Sequence, residues 1–334
     1  MPGPSRDAIG WKRDTEWRNT VWPGLIGASH PDRTRLRTDS YFDMKPALKT
    51  SSSGENTKVF DFTPRDFARV RSLIYKQAGI ALAESKQEMV YSRLARRLRA
   101  KGLNSFGEYL DNLESGRDSE EWEAFTNALT TNLTSFFREA HHFPILAEHM
   151  RAMTGPLSVW CSASSTGEEP YSIAMTLCEA FGTLAPPVSI VATDIDTNVL
   201  ETAANGVYPA ERIDKMPQER VKRFFQKGKG ERAGLVRVRP ELRQLITFKP
   251  LNLLAGSWPL SGPFDAIFCR NVMIYFDKPT QSRILTRFVP LLKPEGLLFA
   301  GHSENFMYAS DAFKLRGKTV YELDPRHGGA RKPA

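Results

Sequence analysis

The stretch LSVWCSASSTGEEPYSIAMTLCEAF, residues 157–181, decides the fold. It opens with a short apolar run, LSVWC, passes through a loop of small residues, and turns helical in EPYSIAMTLCEAF. The same unit recurs downstream. VSIVATD (188–194) precedes helical DTNVLETAANG, and FDAIFCRNV (264–272) precedes a helical stretch ending at LLKPEG. LLFAGHSE (297–304) is a fourth apolar run. Strands alternating with helices imply an α/β fold with a doubly wound parallel sheet. Right-handed crossovers then place ligand loops at the carboxyl ends of the strands.

One segment departs from the alternation. GLVRVRPELRQLITFKPL (234–251) alternates apolar and basic residues, and it follows the turn sequence KGKGERAG. It reads as a small antiparallel insertion within the α/β domain.

Upstream of Pro156 the periodicity is helical. Thr63 is a candidate N-cap with Pro64 at the first helical position. Phe67, Val70, Leu73 and Ile74 follow at helical spacing, and Gly79 supplies a stop. A second helix is expected from about Ser85 to Ala100, with Met89, Val90, Leu94 and Leu98 in one stripe. SFGEYLDNLES and SEEWEAFTNALTTN read as two more. The expected organisation is therefore a helical domain at 59–135 and an α/β domain at 136–325 with an insertion at about 225–250. Residues 1–58 and 326–334 are expected to be a disordered extension and a flexible tail, although Trp11, Trp17 and Trp22 are unusual in a solvated segment.

Composition limits the class. A chain of 334 residues accommodates two domains at roughly 100–200 residues each. Hydrophobic residues at 41% and charged residues at 25% are ordinary for a globular protein. No run approaches the ~18–20 apolar residues of a membrane span, and MPGPSRDAIGWKRD has no apolar core of a secretory signal. Cys161, Cys178 and Cys269 are odd in number and far apart, which excludes a disulfide framework and a CxxC metal site. A reduced, cytoplasmic protein is the expectation. The net charge of +8 suggests a polyanionic partner, whether nucleic acid, anionic membrane or acidic protein.

The loop CSASSTGEEPYSIA carries the first chemical signal. Small residues at a strand end let backbone approach a ligand. With Gly167 alone and the consecutive Glu168 and Glu169, the loop would repel a pyrophosphate and favour a ligand with a cationic centre. At the second strand end, Asp194 suits the paired hydroxyls of an adenosine ribose, while Asp196 suits a helix cap.

At this point the sequence resembles the CheR family of chemotaxis receptor methyltransferases, from about Phe62 to Leu323. The segments that carry the resemblance are ALTTNLTSFFREAHHFPIL, ASSTGEEPYSIA, ATDIDTNVLETA, GLVRVRPEL, GPFDAIFCRNVMIYFD and PLLKPEGLLFAGHSENF. It implies a Rossmann-like class I S-adenosylmethionine methyltransferase domain with an inserted β-subdomain, preceded by a helical receptor-recognition domain. The implied activity is methyl esterification of glutamate side chains on methyl-accepting chemotaxis receptors. Carried over residue by residue, Asn132, Thr134, Arg138, Glu169, Asp194, Asn252, Leu253, Arg270 and Asn271 are expected around S-adenosylmethionine. Arg138 and Tyr275 are expected nearest the transferring methyl, and no metal is expected.

A glutamate carboxylate is ionised at neutral pH, with a reference pKa of about 4.3, so it attacks without a general base. Catalysis then rests on positioning. Arg138 could orient that carboxylate with two donors, or form a structural ion pair with Glu139 or Glu169. His141 and His142 are adjacent, about 100° apart on a helix, and cannot both face one site. They and His149 read as structural or surface residues, and His302 is left outside the catalytic set.

Between Glu84 and Lys101, six cations (Lys86, Arg93, Arg96, Arg97, Arg99, Lys101) against Glu84 and Glu88 leave +4. Arg93, Arg96 and Arg97 fall at helical i, i+3, i+4 spacing and, with Arg99, are expected to meet the acidic helical bundle of a receptor. In some family members the β-subdomain also binds a tethering peptide at the receptor C-terminus by strand addition. A nucleic-acid methyltransferase is disfavoured: NVMIYF stands where a D/N-P-P-Y/F motif is usual, and Cys269 lacks a preceding proline. A silent binding module is disfavoured by the presence of Arg138, Asp194 and the ASSTGEE loop.

Overall fold

A computed structural model describes residues 17–18, 59–116 and 118–326. First in the chain is a two-residue strand, β1 (Trp17–Arg18). The expected disorder of 1–58 otherwise lies outside the described residues, as does nearly all of the 326–334 tail.

Four helices follow: α1 (Pro64–Ala78), α2 (Gln87–Lys101), α3 (Phe106–Glu114) and α4 (Ser119–Leu129). The start of α1 is a capping box, in which Thr63 accepts from the Asp66 amide and Asp66 accepts from the Thr63 amide. Gly79 ends it at φ 70°, and a Cβ there would sit 2.6 Å from Leu254 Cδ1. Glycine is therefore favoured by backbone hand, and a side chain there would also push aside the end of Leu254 in the neighbouring domain. Val70, Ile74, Val90, Leu94 and Leu98 are fully buried together with Phe106 and Phe125. Each such aliphatic side chain contributes about 1.5–3 kcal/mol, more than the capping groups do.

The rest of the chain runs α5 (His142–Ala152), β2 (Leu157–Cys161), α6 (Glu168–Ala180), β3 (Val188–Asp194), α7 (Thr197–Asn205) and β4 (Val207–Pro209). After these come α8 (Gln218–Phe224), β5 (Phe225–Gly228), β6 (Leu235–Val238), α9 (Pro240–Gln244), β7 (Ile246–Pro250) and β8 (Phe264–Cys269). The last elements are α10 (Lys278–Phe288), β9 (Leu292–Ala300), β10 (Phe313–Gly317) and β11 (Val320–Leu323). The main sheet has the order β10-β11-β9-β8-β2-β3-β7. Its five strands β9, β8, β2, β3 and β7 are parallel, and β10 and β11 extend the β9 edge antiparallel. This is the Rossmann-like α/β architecture, with a second, small antiparallel sheet, β1-β5-β6-β4.

Strand β8 is buried along its whole length. Ala266 and Phe268 pack into the core on one face of the sheet, and Ile267 and Cys269 into the core on the other. That is the period of two with both faces covered, which gives a central parallel strand its unbroken apolar sequence.

Two sequence expectations change. The 234–251 segment is not one antiparallel insertion: β6 belongs to the small sheet, but β7 pairs in parallel with β3 at the edge of the main sheet. Alternation records only that one face of a strand is covered, and an edge strand of either sheet satisfies it. The small sheet also takes in Val207–Pro209 and Trp17–Arg18, well outside 225–250. LKPEG, expected at the end of a helix, instead starts β9, with Leu292 paired to Phe264.

Candidate active site

A cavity of about 460 Å³ opens beyond the carboxyl ends of β2, β3, β7 and β8. Its outer wall comes from the helical domain and the segment joining the domains, including Ala81, Lys86, Met89 and Leu133. The domains are held together around it by specific bonds. The Ala81 amide donates to the Tyr275 carbonyl at 2.9 Å, the Asn252 side-chain amide to the Gln77 carbonyl at 2.8 Å, and the Tyr75 hydroxyl to Asp277 at 2.5 Å.

The loop after β2 owes its shape to two left-handed residues, Ser165 at φ 47° and Gly167 at φ 99°. A Cβ on Gly167 would meet Ala203 Cβ and Tyr208 Oη, each at 2.8 Å. The turn aims the Ser165 amide at Asp194 Oδ2 (2.8 Å), while the Asp196 amide donates to Oδ1 (3.0 Å). Asp194 is thus fixed, buried and on the cavity wall, and burial pushes its carboxyl up to about 6, with those amides opposing. Asp196 caps α7, accepting from the amides of Asn198 and Val199.

Asn132, Thr134, Arg138, Glu169, Asp194, Asn252, Leu253, Arg270, Asn271 and Tyr275 all line this one cavity. Their side chains are not all equally available. Asn132 donates to Asp196 at 2.8 Å, and Asn252 spends its amide on Gln77 and its oxygen on the Leu254 amide. Both shape the wall. Asn271 sits at φ 59° with its side chain on Glu139. Arg138 donates to the Leu133 carbonyl at 3.0 Å, and neither Glu139 nor Glu169 is its partner.

Those two carboxylates belong to Arg270, whose side chain is 1% exposed. Its Nη1 lies 2.6 Å from Glu169 Oε2 and its Nη2 3.2 Å from Glu139 Oε2. Burial opposes the guanidinium charge, but Glu169 and Glu139 outweigh it and raise its pKa. Burial likewise opposes ionisation of Glu139, and Arg270 overcomes it to hold that carboxyl below the usual range. Glu169 Oε1 also accepts from the buried Cys161 thiol at 3.2 Å. Glu168 does not face the ligand space: it is fully buried and bound to Arg212 and Thr166. The reading of two repelling glutamates is corrected to one, because consecutive positions at a helix start point in different directions.

The four α2 arginines do not form one free cationic face. Arg97 grips Glu121 through two bonds, 3.1 and 2.7 Å, and Arg93 donates to the Ala128 and Thr130 carbonyls at the end of α4. Arg96 and Arg99 are exposed. The i, i+3, i+4 stripe straddles the boundary between packed and solvated faces, which spacing alone does not orient.

His142 is fully buried, its Nε2 within 2.9 Å of the Lys318 carbonyl, and burial and Arg270 push its pKa down to about 4. His149 Nε2 reaches the Asp265 carbonyl, and the His302 side chain is 75% exposed. Glu139, His141 and His142 have ligand atoms within 4.8 Å of one another, but Glu139 already serves Arg270. Glu304 was missed by sequence reasoning. It is buried and accepts from the amides of Gly301 (2.6 Å), Asn271 (2.9 Å) and Met273 (2.8 Å), which sets the backbone that carries Asn271. It stands in the quoted GHSENF segment, but nothing local marks which carboxylate folds back.

The chain matches the CheR methyltransferase, SAM binding domain family over residues 132–322 and the CheR methyltransferase, all-alpha domain family over residues 65–130. It belongs to the CheR methyltransferase family. A chemotaxis protein methyltransferase of Klebsiella aerogenes is 63% identical over 257 residues, covering 77% of this chain and 89% of that protein. The Escherichia coli chemotaxis protein methyltransferase is 56% identical over 278 residues, covering 83% and 97%. The chemotaxis protein methyltransferase 2 of Pseudomonas aeruginosa is 58% identical over 275 residues, covering 81% and 98%. The chain is thus a CheR methyltransferase whose cofactor is S-adenosylmethionine. The cavity fits that cofactor: Asp194 supplies acceptors for a diol, the Glu169–Arg270 pair supplies polar groups for the methionyl end, and Ile195, Leu251 and Leu253 supply apolar wall for a flat base.

Proposed function

We propose that this enzyme methylates glutamate side chains of methyl-accepting chemotaxis receptors, giving glutamyl methyl esters. The observation that carries the reading is a cavity whose lining includes Arg138 and no histidine among the described residues. A hydroxyl acceptor, or an amine that is protonated at neutral pH, must lose a proton to a base. The candidate carboxylates are committed, Glu169 to Arg270 and Asp194 to two backbone amides. A glutamate acceptor is already ionised and needs none. The relatives' designation as chemotaxis protein methyltransferases supports the same reading.

S-adenosylmethionine, when bound, supplies an electrophilic methyl on its sulfonium. Asp194 would accept from the ribose hydroxyls, Leu253 and the backbone at Asn252 would hold the adenine side, and the Arg270–Glu169 pair with Asn271 would bound the methionyl side. Arg138 orients the acceptor carboxylate, and Tyr275 closes the pocket beside it. Asn132, bonded to Asp196, positions the segment that carries Arg138, and Thr134 lines the cavity beside it.

The receptor's acidic helical bundle meets the exposed arginines, Arg96 and Arg99, on the cytoplasmic side of the membrane. No described helix is long and apolar enough to cross a membrane. A nucleic-acid acceptor is not favoured: Cys269 is fully buried, and burial pushes its thiol well up. A C-terminal receptor peptide adding to the small sheet would raise effective concentration.

Label transferred from methyl-labelled S-adenosylmethionine to receptor-containing membranes tests the proposal. Glutamyl esters release volatile methanol in alkali, whereas methylated amines do not. Alkali-labile label on the receptor band, lost in Arg138→Ala, is expected. Cofactor binding with no label on any receptor would overturn the reading.

A further inference from the structure

Of the residues that line the cofactor cavity, six are exposed and so mark its mouth: Ala81, Ala83, Lys86, Thr131, Leu133 and Ile274. None of the six is acidic, and two large aliphatic side chains stand in solvent there, Leu133 at 76% exposure and Ile274 at 52%. Other large apolar side chains exposed among the described residues, such as Tyr308 and Leu315, do not line the cavity. Leu133 and Ile274 each adjoin a residue read as acting on the acceptor. The Leu133 carbonyl accepts from Arg138 Nη1 at 3.0 Å, and Ile274 directly precedes Tyr275 in the turn Met273–Tyr275. Both backbones are held in place. Ser165 Oγ donates to the Asn132 carbonyl at 3.1 Å, the Met273 amide to the buried Glu304 at 2.8 Å, and the Ala81 amide to the Tyr275 carbonyl at 2.9 Å. Single exposed apolar residues are ordinary, but a pair fixed on the mouth of one catalytic cavity marks an interaction site.

We propose that Leu133 and Ile274 form an apolar lip that seats the acceptor-bearing helix of the receptor and excludes water from the carboxylate presented to Arg138. The inference rests on the glutamate reading above and adds to it the surface that receives the acceptor. A glutamate reaching into the cavity brings its own methylene groups and the adjoining helix surface to the mouth. The lip covers both, and burying each aliphatic side chain favours the complex. The acceptor carboxylate loses its charge on esterification, so a mouth that sheds water on docking favours the reaction. Lys86 on the same rim suits acidic surroundings of the acceptor. The lip also differs from the α2 face in kind. Attraction by Arg96 and Arg99 is screened by salt, whereas burial of Leu133 and Ile274 is not.

The test uses the full chain and receptor-containing membranes at low and high salt. Leu133→Ser and Ile274→Ser should each lower kcat/KM for the receptor roughly tenfold at both salt concentrations, through lost apolar burial. Calorimetric S-adenosylmethionine affinity and the denaturant midpoint should not move, because both side chains are exposed in the free enzyme. Leu133→Met, which keeps an apolar side chain, should recover most of the loss. Contact is read separately, without methyl transfer, by photocrosslinking. A p-benzoylphenylalanine in place of Ile274 should capture the receptor, and one in place of the exposed Leu315 should not. Unchanged kcat/KM in the double serine variant, no capture from position 274, or weakened cofactor affinity in the serine variants overturns the proposal. Capture from position 274 with no alkali-labile label on the receptor would sink the glutamate reading and leave the lip standing.

Discussion

Arg270 Nη1 lies 2.6 Å from Glu169 Oε2, and this pair, 1% and 11% exposed, joins the end of β8 to the start of α6 across the floor of the cofactor cavity. Neither charge is stable there alone. Arg270→Met should cost about 3–5 kcal/mol in chemical denaturation, since Glu169 and Glu139 are left buried without a cation. The double variant Arg270→Met/Glu169→Gln should recover part of that loss. A double variant no more stable than the single one would mean the pair is not coupled.

Arg138 has no such structural partner, and its role is read in rate. Arg138→Ala should unfold at the wild-type denaturant midpoint while receptor methylation falls roughly 10²-fold, the scale of a misplaced reactant. A matching loss of stability would return Arg138 to a structural part.

Asp194 sets a pH dependence. Its folded-state carboxyl titrates near about 6 because of burial, against about 3.9 in an unfolded chain. Between those values the folded protein holds the extra proton, so this group's contribution to stability declines as pH rises from about 4 through 6. His142 runs the other way. Burial and Arg270 hold it down to about 4, so its contribution is present above the unfolded value of about 6.5 and lost as pH falls toward 4. Cofactor binding isolates Asp194, because ribose hydroxyls donate best to the ionised form. Calorimetric S-adenosylmethionine affinity should fall as pH drops below about 6, and Asp194→Asn should flatten the profile. A wild-type profile that is flat from pH 5 to 8 would falsify the ribose assignment.

Gly79 links the two domains. Gly79→Ala should destabilise by at least about 1–2 kcal/mol from left-handed strain alone, before the 2.6 Å approach to Leu254 is counted. Differential scanning calorimetry gives the value. A change within noise would mean the helix end re-forms elsewhere.

The α2 arginines should separate into two behaviours. Arg97→Ala breaks a two-bond pair to the buried Glu121 and should lower stability. Arg96→Ala with Arg99→Ala should leave stability near wild type yet slow receptor methylation, with the difference shrinking at high salt. Equal rates at low salt would remove this face from the receptor interface.

The sequence by itself determined whatever depends on neighbours in the chain. The N-cap at Thr63, the stop at Gly79 and the apolar run of β8 are local features, legible without a partner. So were the residues at strand ends: in a doubly wound sheet, connectivity alone carries Glu169, Asp194 and Arg270 to one edge. Tertiary structure decided what each charge does there. Glu168 and Glu169 are adjacent in sequence, yet one is buried against Arg212 and the other faces the cavity. Glu304 folds back on three amides, β7 crosses to the main sheet, and Trp17 pairs with Gly228 of β5 across 210 intervening residues. Hydrogen bonding and ion pairing act through space, and a linear pattern records a group's type but not its distance to a partner.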